Sequence, residues 1–214
     1  MKIEWIGHSC FRLTAVDGTV VIADPYDDSV GIGLVPLEAD LVTMSHNHHD
    51  HNFTGMLRGT PRIARGVELA HVGSVSARAV DSFHDDVQGA MRGPNAIRIF
   101  SIDGLKVVHM GDQGCMPSED ALTAISDADV MLLPTGGFYT VDAHGAKAIV
   151  EAAHPRCVIP MHFKTLHCSY PIEGVQPFLA LMGVADASPV SELEILPGSV
   201  PQGVVLMKCL TDEI

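Results

Sequence analysis

Apolar and β-branched residues recur along the first half of this chain in short runs, and nearly every run stops at a turn or at a knot of polar residues. Residues 2–6 and 10–14 read as strands around Gly7-His8-Ser9, and a Val16-Asp17-Gly18-Thr19 turn leads into a third strand over 20–23. Asp-Gly between apolar runs is a hairpin signal, because it accepts the left-handed backbone of a tight turn. The opening is a predicted β-meander, closed by Asp24-Pro25. Residues 28–36, rich in glycine and ending in proline, predict a surface loop able to wall a site. The run 39–44 predicts a buried strand. Beyond it the pattern predicts a short helix over 53–57 closing at Gly59, strands around 62–64 and 75–82, and a hairpin of 96–102 and 105–110 joined by Asp103-Gly104.

From Pro117 the alternation gives way to helical spacing. Ser118 is a predicted N-cap for a helix through Ile125 and Asp142 for one reaching Ala153, and 171–182 is a predicted last helix. Strands over 130–133 and 157–160 separate them, and 192–196 and 203–207 close the pattern as strands. Strands first, then strand and helix in turn, predict a mixed α/β class, two packed sheets flanked by helices, in one domain spanning 1–214.

The residues at the strand ends add chemistry to this outline. Directly after 39–44, His46, His48, His49, Asp50 and His51 crowd four imidazoles and a carboxylate into six consecutive positions. Strand and helix interiors do not favour these residues, whereas neutral imidazole is among the best ligands for zinc and related divalent ions. His46, His48, Asp50 and His51 spell HxHxDH; His49 falls outside the pattern and is expected to be solvated. Three later runs also end on candidate ligands, His84, Asp112 and His162. His71 competes with His84, but it sits in a run of small residues without an acidic neighbour.

Composition narrows the partners. At 214 residues, 47% of them hydrophobic, the chain can bury one substantial core. A net charge of −13, from 26 acids against 13 lysines and arginines, argues against nucleic-acid phosphates and anionic membrane surfaces as partners. No stretch reaches the roughly 20 unbroken apolar residues of a membrane helix. Residues 1–5 read as a strand and not as a signal peptide, so a cytoplasmic protein is expected. Five scattered cysteines without CxxC spacing predict neither a disulfide framework nor a cysteine metal site. Cys10 and Cys157 are expected as buried thiols, and Cys115 alone lies near a candidate ligand.

The HxHxDH pattern, with Gly111-Asp112 and Pro160-Met161-His162 downstream, resembles the metallo-β-lactamase superfamily of metal-dependent hydrolases. Trp5-Ile6-Gly7-His8-Ser9, Ile22-Ala23-Asp24-Pro25 and Leu133-Pro134-Thr135-Gly136-Gly137-Phe138-Tyr139-Thr140 are similar to a small branch of it that includes L-ascorbate-6-phosphate lactonase-like proteins. The resemblance implies a four-layer αβ/βα sandwich and a dinuclear site. His46, His48 and His84 would hold the first ion, Asp50, His51 and His162 the second, and Asp112 would bridge both. Asp50 and Asp112 are then the catalytic carboxylates. Asp24 is expected to take the second ring N–H of a ligand histidine and His8 to reach the substrate, with a purely structural role as the alternative for each. Arg58, Arg62, Arg65 and Lys164 are the candidate cations for an anionic group, a solvated surface charge being the default expectation for each.

The implied chemistry is hydrolysis by a hydroxide generated at two divalent ions, zinc first, with manganese or iron also suiting the ligand types. The implied partner is a small-molecule substrate with an ester, lactone or phosphoester bond. An RNA or nucleotide phosphodiesterase is the alternative within the superfamily, and the acidic charge weighs against it. A di-iron redox protein or a non-catalytic metal-binding protein on the same scaffold is the alternative outside hydrolysis; the oxidative branch carries an acidic residue where this chain has His48. Neither substrate identity nor a homo-oligomeric state is written in a recognisable motif.

Overall fold

Along Lys2–Gly7 (β1), Cys10–Thr14 (β2), Val20–Ala23 (β3) and, after Leu37–Glu38 (β4), Leu41–Met44 (β5), neighbouring side chains go to opposite faces of one sheet. Trp5, Phe11, Leu13, Val21 and Leu41 face the larger apolar core, while Ile6, Cys10, Ile22, Val42 and Met44 face a second, smaller one. Both faces of β5 are therefore covered, which is why its sequence shows no alternation. This computed structural model describes residues 1–212.

The chain continues through Leu57–Arg58 (β6), Arg62–Arg65 (β7), Ala70–Val72 (β8), Val75–Phe83 (β9), Pro94–Ile102 (β10) and Leu105–His109 (β11). Glu119–Ile125 (α1), Val130–Pro134 (β12), Ala143–Ala153 (α2) and Cys157–Met161 (β13) alternate after that. Gln176–Leu181 (α3), Leu193–Glu194 (β14) and Gly203–Val204 (β15) complete the elements. The first sheet has six strands in the order β14-β1-β2-β3-β5-β7, and the second seven, β15-β13-β12-β11-β10-β9-β8. Their inner faces share the larger core, in which Ile97, Val107, Leu132 and Ile159 of the second sheet meet Trp5 and Leu13 of the first. Ala121, Ile125, Ala146, Ile149 and Phe178 bring all three helices into that same core. Over the first sheet the cover is loop, with a single 3-10 turn at Asp28–Val30 capped by Asp27. The result is a mixed α/β sandwich of two packed sheets, and no helix among the described residues is long and apolar enough to cross a membrane.

Ser118 and Asp142 cap α1 and α2 as their positions predict, each accepting a backbone N–H three residues on. The helix expected over 53–57 is absent: so short a segment cannot repay helix nucleation. Its backbone instead makes a turn, with the Leu57 N–H on Thr54 O at 3.0 Å, and β6 pairs in parallel with β4. The helix expected over 171–182 is confined to Gln176–Leu181, beginning with a proline in its first turn. Upstream backbone is committed elsewhere, the Glu173 N–H donating to Gly136 O and the Lys164 N–H to Glu173 O, both at 2.7 Å. The closing strands are two residues each, shorter than 192–196 and 203–207, and β8 is an edge strand that the sequence pattern did not mark.

Candidate metal centre

Six strand ends converge on one place. His8 follows β1, Asp24 follows β3, the 46–51 cluster follows β5, His84 follows β9, Asp112 follows β11 by two residues of turn, and His162 follows β13. His8, Asp24 and His162 take left-handed backbone, with φ of 52°, 47° and 50°. Aspartate and histidine tolerate this region better than most residues, and strained turns collect at functional sites. Gly111 has φ 57°, and a Cβ there would collide with Asn95 and Ser45. Only glycine lets the chain turn there and deliver Asp112, whose own N–H donates to Asn95 Oδ1 at 3.1 Å.

Two groups of donors result. In one, His46, His48 and His84 place ring nitrogens within 4.8 Å of one another; in the other, a carboxylate oxygen of Asp50 and ring nitrogens of His8, His51 and His162 do so, and an Asp24 oxygen lies equally near His46 and His51, one from each group. Asp112 lies between them, with Oδ2 at 3.1 Å from His84 Nε2 and 3.3 Å from His162 Nε2, and Oδ1 at 3.1 Å from His51 Nε2. The seven residues that the sequence nominated as ligands are thus brought together. Behind them, Asp24 accepts from His51 Nδ1 at 2.8 Å and from the Ser45 N–H, also at 2.8 Å. Ser45 Oγ donates to Asp24 and in turn lies 2.9 Å from His46 Nδ1. Both rings are therefore held by their outer nitrogen, leaving Nε2 aimed inward.

The electrostatics follow from burial and crowding. Burial first, then the neighbouring His51 charge, pushes His46 down to about 3. Burial, aided by His162, pushes His8 down to about 4, and His48 is lowered by burial and by His84. His51 goes the other way: burial opposes its charge, but Asp112 and Asp50 outweigh that and raise it well above the usual histidine range. Burial disfavours the charge on Asp112 and Asp50 too, yet the surrounding imidazoles hold both well below the usual carboxylate range. Asp24 sits at about 2, burial being overcome by His109 and His51.

The donors fit a divalent metal. His46 Nε2, His51 Nε2, His84 Nδ1, both nitrogens of His162 and Asp112 Oδ1 are buried without a hydrogen-bond partner. Buried polar atoms are almost always partnered, so this many orphans in one cluster need an acceptor of lone pairs that the protein does not supply. Mixed imidazole and carboxylate donors, with the His46 and His51 rings held by outward hydrogen bonds, suit zinc and similar ions.

The family model for the beta-lactamase superfamily domain matches residues 2–162. A Thermotoga maritima protein assigned as a Zn-dependent hydrolase of the metallo-β-lactamase superfamily superposes with a TM-score of 0.78 and 32% identity, over 96% of this chain and 97% of its own. The chain belongs to the metallo-β-lactamase superfamily. UPF0173 metal-dependent hydrolases of Thermoplasma acidophilum and Archaeoglobus fulgidus are each 28% identical to it, across 77% of this chain and 84% of theirs. A metallo hydrolase from Ignicoccus hospitalis shares the fold alone, at 21% identity and a TM-score of 0.67. Metal-dependent hydrolase is accordingly the class of this protein.

Within this superfamily scaffold the residues outside the ligand set divide sharply. His8 takes the structural of its two expected places, away from the pocket: it is 2% exposed, packs 4.1 Å from the His162 ring and reaches Asp50 Oδ2 at 3.2 Å. Lys164 is spent on the Tyr170 carbonyl at 2.6 Å. Arg62 donates to the carbonyls of Leu69 and His71, Arg65 to Met44 Sδ, and Arg58 lines a separate depression beside Glu38 and Asp40. His71 is exposed on the edge strand β8. Cys115 gives its carbonyl to Gln113 and does not line the pocket. His49 is exposed and stands at the pocket rim, 2.9 Å from Ser29 Oγ. The pocket above the donors, about 300 Å³, is walled by Tyr139, Tyr170 and Arg92, none of which the sequence nominated. The signal for Arg92 was weak: a carboxylate directly after a ligand histidine, in a loop holding Gly89 and Gly93.

Proposed function

We propose that this protein hydrolyses a small ester, lactone or phosphoester substrate in the pocket above the donor cluster, with two divalent ions, zinc foremost, as its cofactor. The observation that carries the reading is Asp112, whose two oxygens lie within 3.3 Å of nitrogens from His51, His84 and His162 and so join the two donor groups. Ions held there would supply Lewis acidity, bringing the pKa of water from about 15.7 towards about 7 and polarising the bond under attack. His46, His48 and His84 would hold one ion and Asp50, His51 and His162 the other. Asp24 and Ser45 keep the rings in one tautomer, so the donors are set before substrate arrives. His8 reaches Asp50 Oδ2 at 3.2 Å and so holds that carboxylate beside His51, whose Nε2 lies 3.7 Å from the same oxygen. Tyr170, held by Ser29 at 3.1 Å, and Tyr139 narrow the pocket to a small molecule. The acidic chain offers no basic track for a nucleic-acid backbone, which disfavours the phosphodiesterase alternative on RNA.

The test is a metal analysis of protein purified without chelators, followed by ester, lactone and phosphoester panels with the metal found. Hydrolysis of at least one class is expected, lost on chelation and regained on adding metal back. A metal-replete protein inactive on every class would sink the reading.

A further inference from the structure

Arg92 is the one cation on the pocket wall, among three imidazoles, two carboxylates and two phenols. Its Nη2 donates to Phe138 O at 3.1 Å, and its guanidinium carbon stands 5.7 Å from the centre of the Tyr139 ring. It forms no ion pair among the described residues, although acids outnumber basic residues 26 to 13 in this chain. The rest of its fork of N–H donors is free to meet something in the pocket.

The backbone that carries Arg92 is fixed. Asp85, 2% exposed, accepts four main-chain N–H groups: Val87 at 3.0 Å, Gly89 at 2.7 Å, Met91 at 3.0 Å and Arg92 itself at 2.7 Å. Asp85 follows His84 directly, so one stretch of chain sets a donor of the cluster and the cation above it. A guanidinium placed in advance, leaning on an aromatic face and without a carboxylate of its own, matches the planar two-oxygen edge of an oxyanion.

We propose that Arg92 determines specificity, and that the substrate carries a carboxylate or phosphate group which Arg92 binds beside Tyr139 while the scissile bond lies over the donor cluster. This rests on the hydrolytic reading above. Arg92 acts as a binding residue and takes no part in bond cleavage.

Metal-loaded wild type and Arg92→Gln are titrated calorimetrically with phenylphosphonate and phenylacetate, neither of which can be hydrolysed, and the metal content of each sample is measured. Wild type should bind at least one probe, the tighter one naming the group. Arg92→Gln should bind it about ten- to a hundredfold more weakly at unchanged metal content, the range for lost hydrogen bonds to a charged partner. Binding of neither probe overturns the proposal. So does a loss under about threefold in Arg92→Gln, which would place the anion on the ions alone. Paired substrates separate this proposal from the hydrolytic one: equal kcat/KM for an anionic substrate and its neutral methyl ester sinks the role of Arg92 only, whereas Arg92-dependent probe binding without hydrolysis on any panel sinks the hydrolytic reading only.

Discussion

The two donor groups differ in how they meet solvent. His8, Asp50, His51 and His162 are all buried, whereas the other group contains the exposed His48 between the buried His46 and His84. The pocket reaches His48, His84, Asp50 and Asp112 but not His51, His162 or His8. The buried group also carries the charge imbalance, since a raised His51 sits among Asp24, Asp50 and Asp112. On the proposed reading the open half, with Asp50, would present the surface a substrate meets, and the buried half would hold the proton and carboxylates that set how tightly a metal binds.

Asp112→Ala is the harshest test of that division, because Asp112 lies within 3.3 Å of His84 in one half and of His51 and His162 in the other. Removing it takes a ligand from each side and leaves His51, His84 and His162 facing one another. Metal content should fall in both groups and hydrolysis by about 10³-fold or more, since Lewis-acid catalysis supplies several kcal/mol of the barrier reduction. Turnover assays with metal analysis check it. Full activity in Asp112→Ala would mean the halves work independently.

Asp24→Asn separates the halves. The asparagine keeps the shape but loses the charge that holds His51 Nδ1–H, so metal affinity should drop by about 10- to 100-fold, the usual cost of losing a carboxylate behind a ligand histidine. The loss should fall mainly on the buried group, since Asp24 reaches His46 only through Ser45. Chelator competition on the variant should release one ion well before the other. Equal weakening of both would show that the Ser45 link matters as much as the direct contact.

Much of this centre was legible because its residues break a pattern. Four imidazoles after the strand 39–44, and His84, Asp112 and His162 each closing an apolar run, stand out against sequences that strand packing would select. Asp24 was raised through the family resemblance of Ile22-Ala23-Asp24-Pro25 and the habit of ligand histidines of donating to a carboxylate. Arg92 was not, because its place depends on four main-chain hydrogen bonds to Asp85 in a loop without a regular period, whereas Arg58, Arg62 and Arg65, closer to the motif in sequence, are turned elsewhere by local partners. His8 left two roles open, and the backbone chose between them. Its motif is at a strand end like the others, yet the left-handed turn at φ 52° folds the ring under Asp50 and away from the pocket. The helix expected over 53–57 failed on length, and the one over 171–182 on competition from Gly136 and Lys164 for its backbone.

The smallest effect separates the halves by pH. His51 is raised well above its ordinary value of 6.5 in the metal-free protein, so it remains protonated near neutrality. A raised pKa means that the stability it contributes is complete below about 6.5 and is lost as pH rises through the folded value. A metal must displace that proton, so affinity at the buried group should gain about tenfold per pH unit while the pH is below the folded pKa of His51 and then level off. His46 at about 3 and a lowered His48 are already neutral there and add no such slope to the open group. Calorimetry in buffers of different ionisation enthalpy should find about one proton released for the ion entering the buried group. Release that is the same for both ions, or none at all, would show that His51 is neutral before the metal arrives, and the proton store would then have to be sought outside the buried half.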